Sequence, residues 1–460
     1  MPPSKSILLL ATYELGHQPF NLASPLAALA EAGLPARAVD TGVEPLPATA
    51  VREASFIGIS VPMHTATRLA ARLIEGIRAI NPSVALCCYG LYAFLNTDYL
   101  LECGADYIIA GEYEAPLRDL VVGLVRGRTD PPPGVTTRQH KAAPHLEKIS
   151  FVTPDRRALP PLKHYAHLEW NGQRSPAGYV EASRGCLHTC LHCPVTPVYG
   201  GRFFVVPAEV VLADIRAQVE RGARHITFGD PDFLNGPGHS LQIVRALHAE
   251  FPQVTFDITV KIEHILKHRR HFAELKALGC AFVVSAVESF SDEVLRRLDK
   301  GHTRADIEVA LDILAGAGIS LRPSLVAFTP WTTFEDYLEM LEQVERLGLI
   351  EQIDPVQYSI RLLLPPHSAL LPQAAGERWL GPLQPAELSY AWQHPDPRMD
   401  ALHRQVAGLV AIAADVGEDT RTTFYRVRDL ARGRAGGNGR ASGPELEPDP
   451  GPRLTESWFC

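Results

Sequence analysis

The sequence predicts two α/β units in series, an open parallel sheet followed by a six-unit partial β/α barrel. Three observations predict it. From residue 5 to about 127, short apolar runs alternate with amphipathic stretches. From Gly178 a second series of this kind repeats six times, which suits a six-unit barrel better than a full eight-unit one. Between them, the proline-rich RTDPPPGVTTRQHKAAP breaks both patterns.

The first series has the apolar runs SILLLAT, ARAVD, FIGISVP, VALCCYG and YIIAG. Between them lie SPLAALAEAG, ATRLAARLIEGIRAI, NTDYLLECG and EAPLRDLVVGLVRG. Apolar strands that alternate with amphipathic helices require a parallel sheet covered by helices on both faces. Ligands of such sheets sit beyond the carboxyl ends of the strands. Those ends carry Thr12, Ser60, Val61, Tyr89, Gly90, Gly111 and Glu112. The second series has the strands GYVEAS, HITFGDPDF, VTFDITV, CAFVVSAVES, LRPSLVAF and VQYSIRLLL. Its chemistry belongs at the carboxyl ends of those strands, with His367, Tyr358 and Arg361 as candidates to face a substrate. The expected organisation is an α/β domain over 1–130, a linker over 131–175, the barrel over 176–370, a helical region over 371–430 and a flexible tail over 431–460.

Composition narrows the function. The 460 residues are 46% hydrophobic and 21% charged, enough for two or three domains with real cores. The net charge of −8 supplies no broad basic field, so nucleic acid is not an expected partner. The first apolar run, Ile7 to Ala11, is too short for a secretion signal or a membrane span. A cytoplasmic protein with no membrane partner is expected. Thiols stay reduced there, so clustered cysteines point to metal or catalysis and not to disulfides.

Three of the eight cysteines lie in EASRGCLHTCLHCPVTPVYGGRFF, just after the first barrel strand. Cys186, Cys190 and Cys193 have the spacing Cys-x3-Cys-x2-Cys. Three thiolates on one loop can hold three irons of a 4Fe–4S cube and leave the fourth iron open. Zinc is the alternative, with His188 or His192 completing four ligands. Arg184 and the two histidines make the loop read as exposed.

This motif, ahead of a six-unit β/α series, resembles the radical S-adenosylmethionine superfamily. The resemblance implies an enzyme in which the three cysteines ligate a 4Fe–4S cluster. The open iron is then chelated by S-adenosylmethionine, whose carbon–sulfur bond is cleaved reductively, and that chemistry belongs to the cofactor. The resemblance places His192 near the adenine. It places Gly229 and Asp230, in HITFGDPDF, against the cofactor's amino group. Ser285 and Glu288, in VSAVESFSDEVLRRLDKGHT, would face the ribose and methionine parts. Glu288 is otherwise a solvated helix-start carboxylate. Lys261, in DITVKIEH, is either a further contact or a surface lysine.

The first domain resembles the flavodoxin-like, cobalamin-binding domain that precedes the barrel in one class of that superfamily. CCYGLYAFLNTDYLLECGADYIIAGEYEAPL carries the likeness. Cobalamin is then expected over Thr12, Ser60, Tyr89, Gly90, Gly111 and Glu112. The loop ATYELGHQPFN lacks an Asp-x-His-x-x-Gly motif, which implies binding without histidine ligation, with His17 and His64 as alternative ligands. The implied reaction is methyl or other radical transfer to a small molecule or peptide, with an electron from a donor such as flavodoxin or ferredoxin. Aminocarboxypropyl or adenosyl transfer without cobalamin, on a tail-bound metalloid or substrate, is an alternative. A non-catalytic zinc or cobalamin carrier is the competing class. A methylthiolation enzyme acting on RNA would carry further cysteine ligands in the first domain, and Cys87, Cys88 and Cys103 lack that dispersion.

The end of the chain, TESWFC, together with the opening ATYELGHQPFNLASPLAAL, resembles radical S-adenosylmethionine proteins with a Cys-Cys-Ala-Glu-Pro or Cys-selenocysteine-Ala-Glu-Pro tail. The resemblance implies a selenoprotein whose next codon is UGA. It makes Cys460 a catalytic, soft nucleophilic ligand.

Overall fold

Each apolar run of the first series becomes a strand. The computed structural model describes residues 6–128, 130–147, 150–433 and 451–456. In the first domain β1 (Ser6–Ala11), β2 (Ala36–Asp40), β3 (Ala54–Ser60), β4 (Ala85–Tyr89), β5 (Tyr107–Ile109) and β6 (Val135–Thr136) form one sheet in the order β2-β1-β3-β4-β5-β6. All neighbours are parallel except β6, which runs antiparallel to β5. Side chains of a strand alternate between faces, and both faces are buried here. Leu8, Leu10, Ile57, Ile59, Leu86 and Cys88 pack in one core. Ile7, Leu9, Ala11, Phe56, Cys87 and Tyr89 pack in the other. The strand order reverses between β1 and β3, which opens a crevice at their carboxyl ends.

Much of the span expected as a linker, 131–175, is built into both units. β6 extends the first sheet, and Gly111 bridges to His145. Gly111 has φ +79°, and a side chain there would collide with the His145 carbonyl. Farther on, β7 (His167–Trp170) forms a hairpin with β8 (Gln173–Val180), so residue 176 falls inside a strand. Arg156 ties the segment down. It is buried and bidentate on Asp214, with Nε–Oδ1 at 2.6 Å and Nη2–Oδ2 at 2.9 Å. It also donates to Gln18 Oε1 and to the Tyr179 carbonyl.

Two short strands around the cysteine loop, β9 (Ser183–Gly185) and β10 (Phe203–Val205), pair antiparallel. The barrel sheet continues through β11 (His225–Phe228), β12 (Thr255–Thr259), β13 (Cys280–Glu288) and β14 (Ser320–Leu325). β8 and β11 to β14 are successive parallel neighbours. The sixth expected strand, VQYSIRLLL, is reduced to a single bridge between Phe328 and Arg361. Pro355 opens a 3₁₀ turn over Pro355–Ser359 and takes that stretch out of a ladder. The region 371–430 is not purely helical. A hairpin of β15 (Leu380–Gln384) and β16 (Ser389–Trp392) precedes the helices Pro397–Asp415 and Thr420–Ala431.

The span expected as a flexible tail also departs from expectation. β17 (Arg453–Leu454) pairs antiparallel with β7 at the edge of the barrel sheet, and Thr455 N–H donates to the His167 carbonyl at 2.9 Å. Backbone ladder bonds satisfy an otherwise open edge. Cys460 lies outside the described residues. Among the described residues no helix is long and apolar enough to cross a membrane.

Asp214→Asn leaves the Arg156 guanidinium buried with a neutral partner, and should cost about 3–5 kcal/mol of stability in urea unfolding. Arg156→Met combined with Asp214→Leu should recover most of that loss, because no buried charge then remains.

Candidate active site

Strand alternation decides which side chains reach the barrel interior. Tyr179 of β8, Thr227 of β11, Asp257 and Thr259 of β12, Phe282, Val284, Ala286 and Glu288 of β13, and Arg322 and Ser324 of β14 face one cavity. It holds about 2800 Å³ of unfilled space, including part of its open mouth. The same cavity takes in Cys186, Cys190 and Cys193, and Pro62, Met63, Leu91, Tyr92, Gly111 and Glu112 of the first domain. The cysteine loop and the strand ends of the first sheet therefore share one space.

The loop is held at both ends. Cys186 N–H donates to the Arg202 carbonyl at 3.0 Å, and Leu191 N–H to the Leu298 carbonyl at 3.0 Å. The exposed reading holds only in part: Leu187 and Thr189 are exposed, but Cys186, Cys190 and Arg184 are buried. Burial pushes the Cys193 thiol up to about 12, and the neighbouring Cys190 and Cys186 add to that. Burial likewise raises Cys186. Left alone these thiols keep their protons, so a cationic metal is what would hold them as thiolates. A single zinc does not suit them. Zn–S bonds of about 2.3 Å put tetrahedral sulfurs about 3.8 Å apart. Among the described residues, the one group of three ligand atoms all within 4.8 Å of one another is His188, Asp232 and His264. Neither histidine of the loop turns to the sulfurs. His192 Nε2 lies 3.1 Å from Glu288 Oε1, and His188 Nε2 lies 3.6 Å from Asp232 Oδ2. Three thiols spread along one loop fit the larger iron–sulfur cube.

Arg184, two residues before Cys186, joins this loop to the first domain. Its Nη1 lies 2.9 Å from Glu112, its Nη2 2.8 Å from Glu114, and its Nε 2.8 Å from Glu181. The guanidinium also stands over the rings of Phe20, Tyr113 and Phe151. Tyr199 OH donates to Glu112 at 2.9 Å. Burial pushes Glu181 up to about 8, against the pull of Arg184, so this carboxyl keeps its proton near neutrality. Burial also raises Glu112. Glu114, equally buried, is held below its ordinary value by Arg184 and Ser24.

Glu288 ends β13 in a left-handed conformation, φ +64°, rare for a residue with a side chain. Burial would raise its carboxyl, but Lys300 at 3.2 Å and His192 bring it down to about 2. It is thus a buried, ionised group and not a solvated helix-start carboxylate. Lys261 is buried, 3.1 Å from Glu263, and is not a surface lysine.

Other expected residues divide between the cavity and the scaffold. His192, Gly229, Gly111 and Glu112 line the cavity. Gly229 has no room for a side chain, because a Cβ would fall on the Tyr179 phenol. Asp230 and Ser285 do not line it. Asp230 accepts from Ala182 N–H at 3.0 Å and Ser183 OH at 2.5 Å, which braces the passage from β8 into β9. Ser285 lies on the opposite face of β13 from Val284 and Ala286 and is fully buried, so it cannot share the inward face with Glu288. In the first domain Thr12, Ser60 and Tyr89 hydrogen-bond within the scaffold, to the Ala66 carbonyl, to Glu14 and to the Asn21 carbonyl. Gly90 does not line the cavity either. Its φ of +115° lets the chain turn closely past Val61. His17 lines the cavity, but its ring lies 5.0 Å from that of Tyr179 in the barrel. His64 Nε2 is 3.0 Å from the Glu387 carbonyl. Of the residues named for the substrate, Arg361 lines the cavity, Tyr358 is fully buried and does not, and His367 stacks on Phe94. Asp232, Lys300 and Arg322 went unseen in the sequence. Charges at alternate sites of otherwise apolar strands were the one signal for Asp257 and Arg322.

Residues 180–344 match the model of the Radical SAM superfamily. The barrel is a radical S-adenosylmethionine domain. A domain of that superfamily implies a 4Fe–4S cluster and S-adenosylmethionine. Among solved structures, the radical S-adenosylmethionine methyltransferase TsrM from Kitasatospora setae, with tryptophan and a cofactor analogue bound, aligns with a TM-score of 0.71. The identity is 17%, over 88% of this chain and 89% of that one. The cobalamin-dependent radical enzyme OxsB with aqua-cobalamin aligns at 0.68 and 15% identity, over 87% of this chain and 66% of that one. These likenesses show a shared fold. The tRNA-2-methylthio-N(6)-dimethylallyladenosine synthase of Desulfosudis oleivorans is 29% identical over 199 residues, 41% of this chain and 42% of the relative. The ribosomal protein uS12 methylthiotransferase RimO of Geotalea uraniireducens is 28% identical over 204 residues, 38% and 43%. The chain thus spans less than half the length of these curated relatives.

Arg184→Gln would leave three buried carboxyls without their cation. We expect a loss of about 3–5 kcal/mol in chemical denaturation. Without the guanidinium their folded-state affinities for protons rise above the unfolded value of about 4.3. The folded state then holds more protons, so the variant's stability should fall as pH rises from about 5 to 8, more steeply than that of the wild type.

Proposed function

We propose that the protein is a cobalamin-dependent radical S-adenosylmethionine enzyme that transfers a methyl or other radical-derived group to a small molecule or peptide. One observation carries this reading: a common cavity joins the cysteine loop and barrel interior to the carboxyl ends of β3, β4 and β5. Two cofactors seated at those two rims would face one substrate. The solved neighbours support it, since TsrM was solved with cobalamin and a 4Fe–4S cluster, and OxsB with aqua-cobalamin.

Cys186, Cys190 and Cys193 would hold three irons. When bound, the cluster and S-adenosylmethionine supply one-electron cleavage of a carbon–sulfur bond, and cobalamin supplies a methyl carrier. The ionised Glu288, with Lys300 and His192 around it, offers a fixed acceptor for the hydroxyl or ammonium groups of S-adenosylmethionine. Asp232, anchored by the N–H groups of Leu234 and Lys261, offers a second. Protonated Glu181 keeps the carboxylate–arginine cluster beside the cysteine loop from gathering excess negative charge. The first-domain rim would seat cobalamin without histidine ligation. His64 is engaged by Glu387, and the His17 ring packs on Tyr179. A flavodoxin or ferredoxin would supply the electron.

The curated relatives favour a second reading, methylthiolation. Cys87 and Cys88 are buried in β4, and among the described residues no first-domain cysteine lines the cavity. A second cluster beside the substrate therefore lacks thiol ligands in that domain, which leaves this reading weaker.

Anaerobically reconstituted protein should be brown, absorb broadly at about 400 nm, and with reductant release 5′-deoxyadenosine or a methylated product from labelled S-adenosylmethionine. Mass spectrometry with and without added cobalamin separates the outcomes. Cys190→Ala should lose the colour and the cleavage, and full cleavage in that variant would remove the assignment. Glu288→Ala should weaken S-adenosylmethionine binding at least about tenfold, the loss of a charge-assisted contact, while iron content stays near wild type. A parallel fall in iron would make the residue structural.

A further inference from the structure

The cavity is lined by five cationic side chains, and four of them are already matched. Arg184 meets Glu112 at 2.9 Å, Lys261 meets Glu263 at 3.1 Å, Lys300 meets Glu288 at 3.2 Å, and Arg361 meets Asp400 at 2.7 Å. Arg322 is the fifth. Among the described residues it has no ion pair and no hydrogen bond, and its Nη1 is buried without a partner. Its direction follows from the strand. Leu321 of β14 packs into the core and does not line the cavity, whereas Arg322 and Ser324, on the other face of the strand, do. Burial and the nearby Arg453 lower its proton affinity to about 10, against the pull of Asp354 and Asp257, so it remains a cation at neutral pH. Asp257 cannot serve it as a full partner, since His225 at 2.8 Å and Thr227 at 2.7 Å already share its Oδ1. A half-buried guanidinium with a buried Nη1 and no ion-pair partner is under-satisfied, and a ligand anion is what relieves it.

We infer that the substrate is an organic carboxylic acid whose carboxylate pairs with Arg322 deep in the barrel. This rests on the enzyme reading above and names the class of molecule that the cavity takes. Arg322 is level with Val284 in the strand register, four residues before Glu288. At about 3.3 Å per residue it lies about 13 Å below the strand top. A carboxylate there leaves the rest of a small molecule extending up toward the cysteine loop. Gln352, also at the cavity, has an Oε1 without a partner, ready to accept from a donor group on the same molecule. A monoanion suits the site better than a phosphate dianion, because Asp257 and Asp354 supply negative potential beside Arg322 and Arg453.

The test uses the full chain without reductant and three probes of one shape: benzoate, benzamide and phenyl phosphate. Their affinities are read by ligand-observed NMR titration. Benzoate should bind wild type at least about tenfold more tightly than benzamide, as a charge-assisted bidentate pair requires, and at least as tightly as phenyl phosphate. Arg322→Gln should lose that preference, and Arg322→Lys should keep part of it. Equal binding of benzoate and benzamide to wild type overturns the inference, with no variant needed. Unchanged benzoate affinity in Arg322→Gln also overturns it, and tighter binding of phenyl phosphate overturns the carboxylate assignment. Iron content and S-adenosylmethionine cleavage are measured separately on wild type. Protein that takes no iron would defeat the enzyme reading while a benzoate preference stood, and the converse result would spare the enzyme reading.

Discussion

The juncture of the cysteine loop with the first domain depends on one buried guanidinium. Arg184 belongs to the loop that carries the three cysteines, while Glu112 and Glu114 belong to the end of β5 and the helix that follows it. A bare arginine in such a place would be strongly unfavourable, and so would bare carboxylates. Brought together they neutralise one another and exclude water. That requirement admits few relative placements of the two units. It sets the cysteine loop against the rim of the first sheet, and so makes one cavity of what would otherwise be two clefts. Aromatic rings of Phe20, Tyr113 and Phe151 close the cluster from the sides.

Charge balance then shapes the interior. The cavity carries acids and bases in matched pairs: Glu288 with Lys300 and His192, Asp232 with His188 and His264, Lys261 with Glu263. Such pairs are rigid, because each partner would be costly to expose or leave alone. They hold donors and acceptors in place before any ligand arrives, which is the condition for directing a reactive species to one atom of a substrate. The left-handed backbone at Glu288 belongs to the same arrangement. The bulge there turns the carboxylate over the cavity at the cost of local strain.

Segments that look like connections complete the enclosure. Arg156, in the proline-rich stretch between the units, binds Asp214 of a barrel helix, Gln18 of the first-domain loop and the Tyr179 carbonyl of β8. That loop carries His17 into the barrel, where burial drives its imidazole down to about 4 and keeps it neutral. At the far edge β17 covers β7, and Leu454 and Glu456 reach the cavity lining. Proline content and low hydrophobicity argue for loose chain in these places. Long-range ladder bonds and a few buried charges override that argument.

The sequence by itself determined the two α/β units, the alternation of their strands and the cysteine spacing, because these follow from local periodicity and from ligand chemistry along a few consecutive residues. Cys186, Cys190 and Cys193 were picked out in that way, His192, Gly229 and Glu288 by family resemblance, and all six line the cavity. Only the tertiary structure decided that Ser285 and Glu288 point to opposite faces, because a bulge and strand parity must be known together. It alone showed that Asp230 braces the passage from β8 into β9, that Thr12, Ser60 and Tyr89 serve the scaffold, and that VQYSIRLLL contributes one bridge where a strand was expected. It alone paired Arg184 with Glu112 across 72 residues and left Arg322 without a partner. Ion pairing and desolvation act through space, and the order of residues along the chain does not record which charges meet.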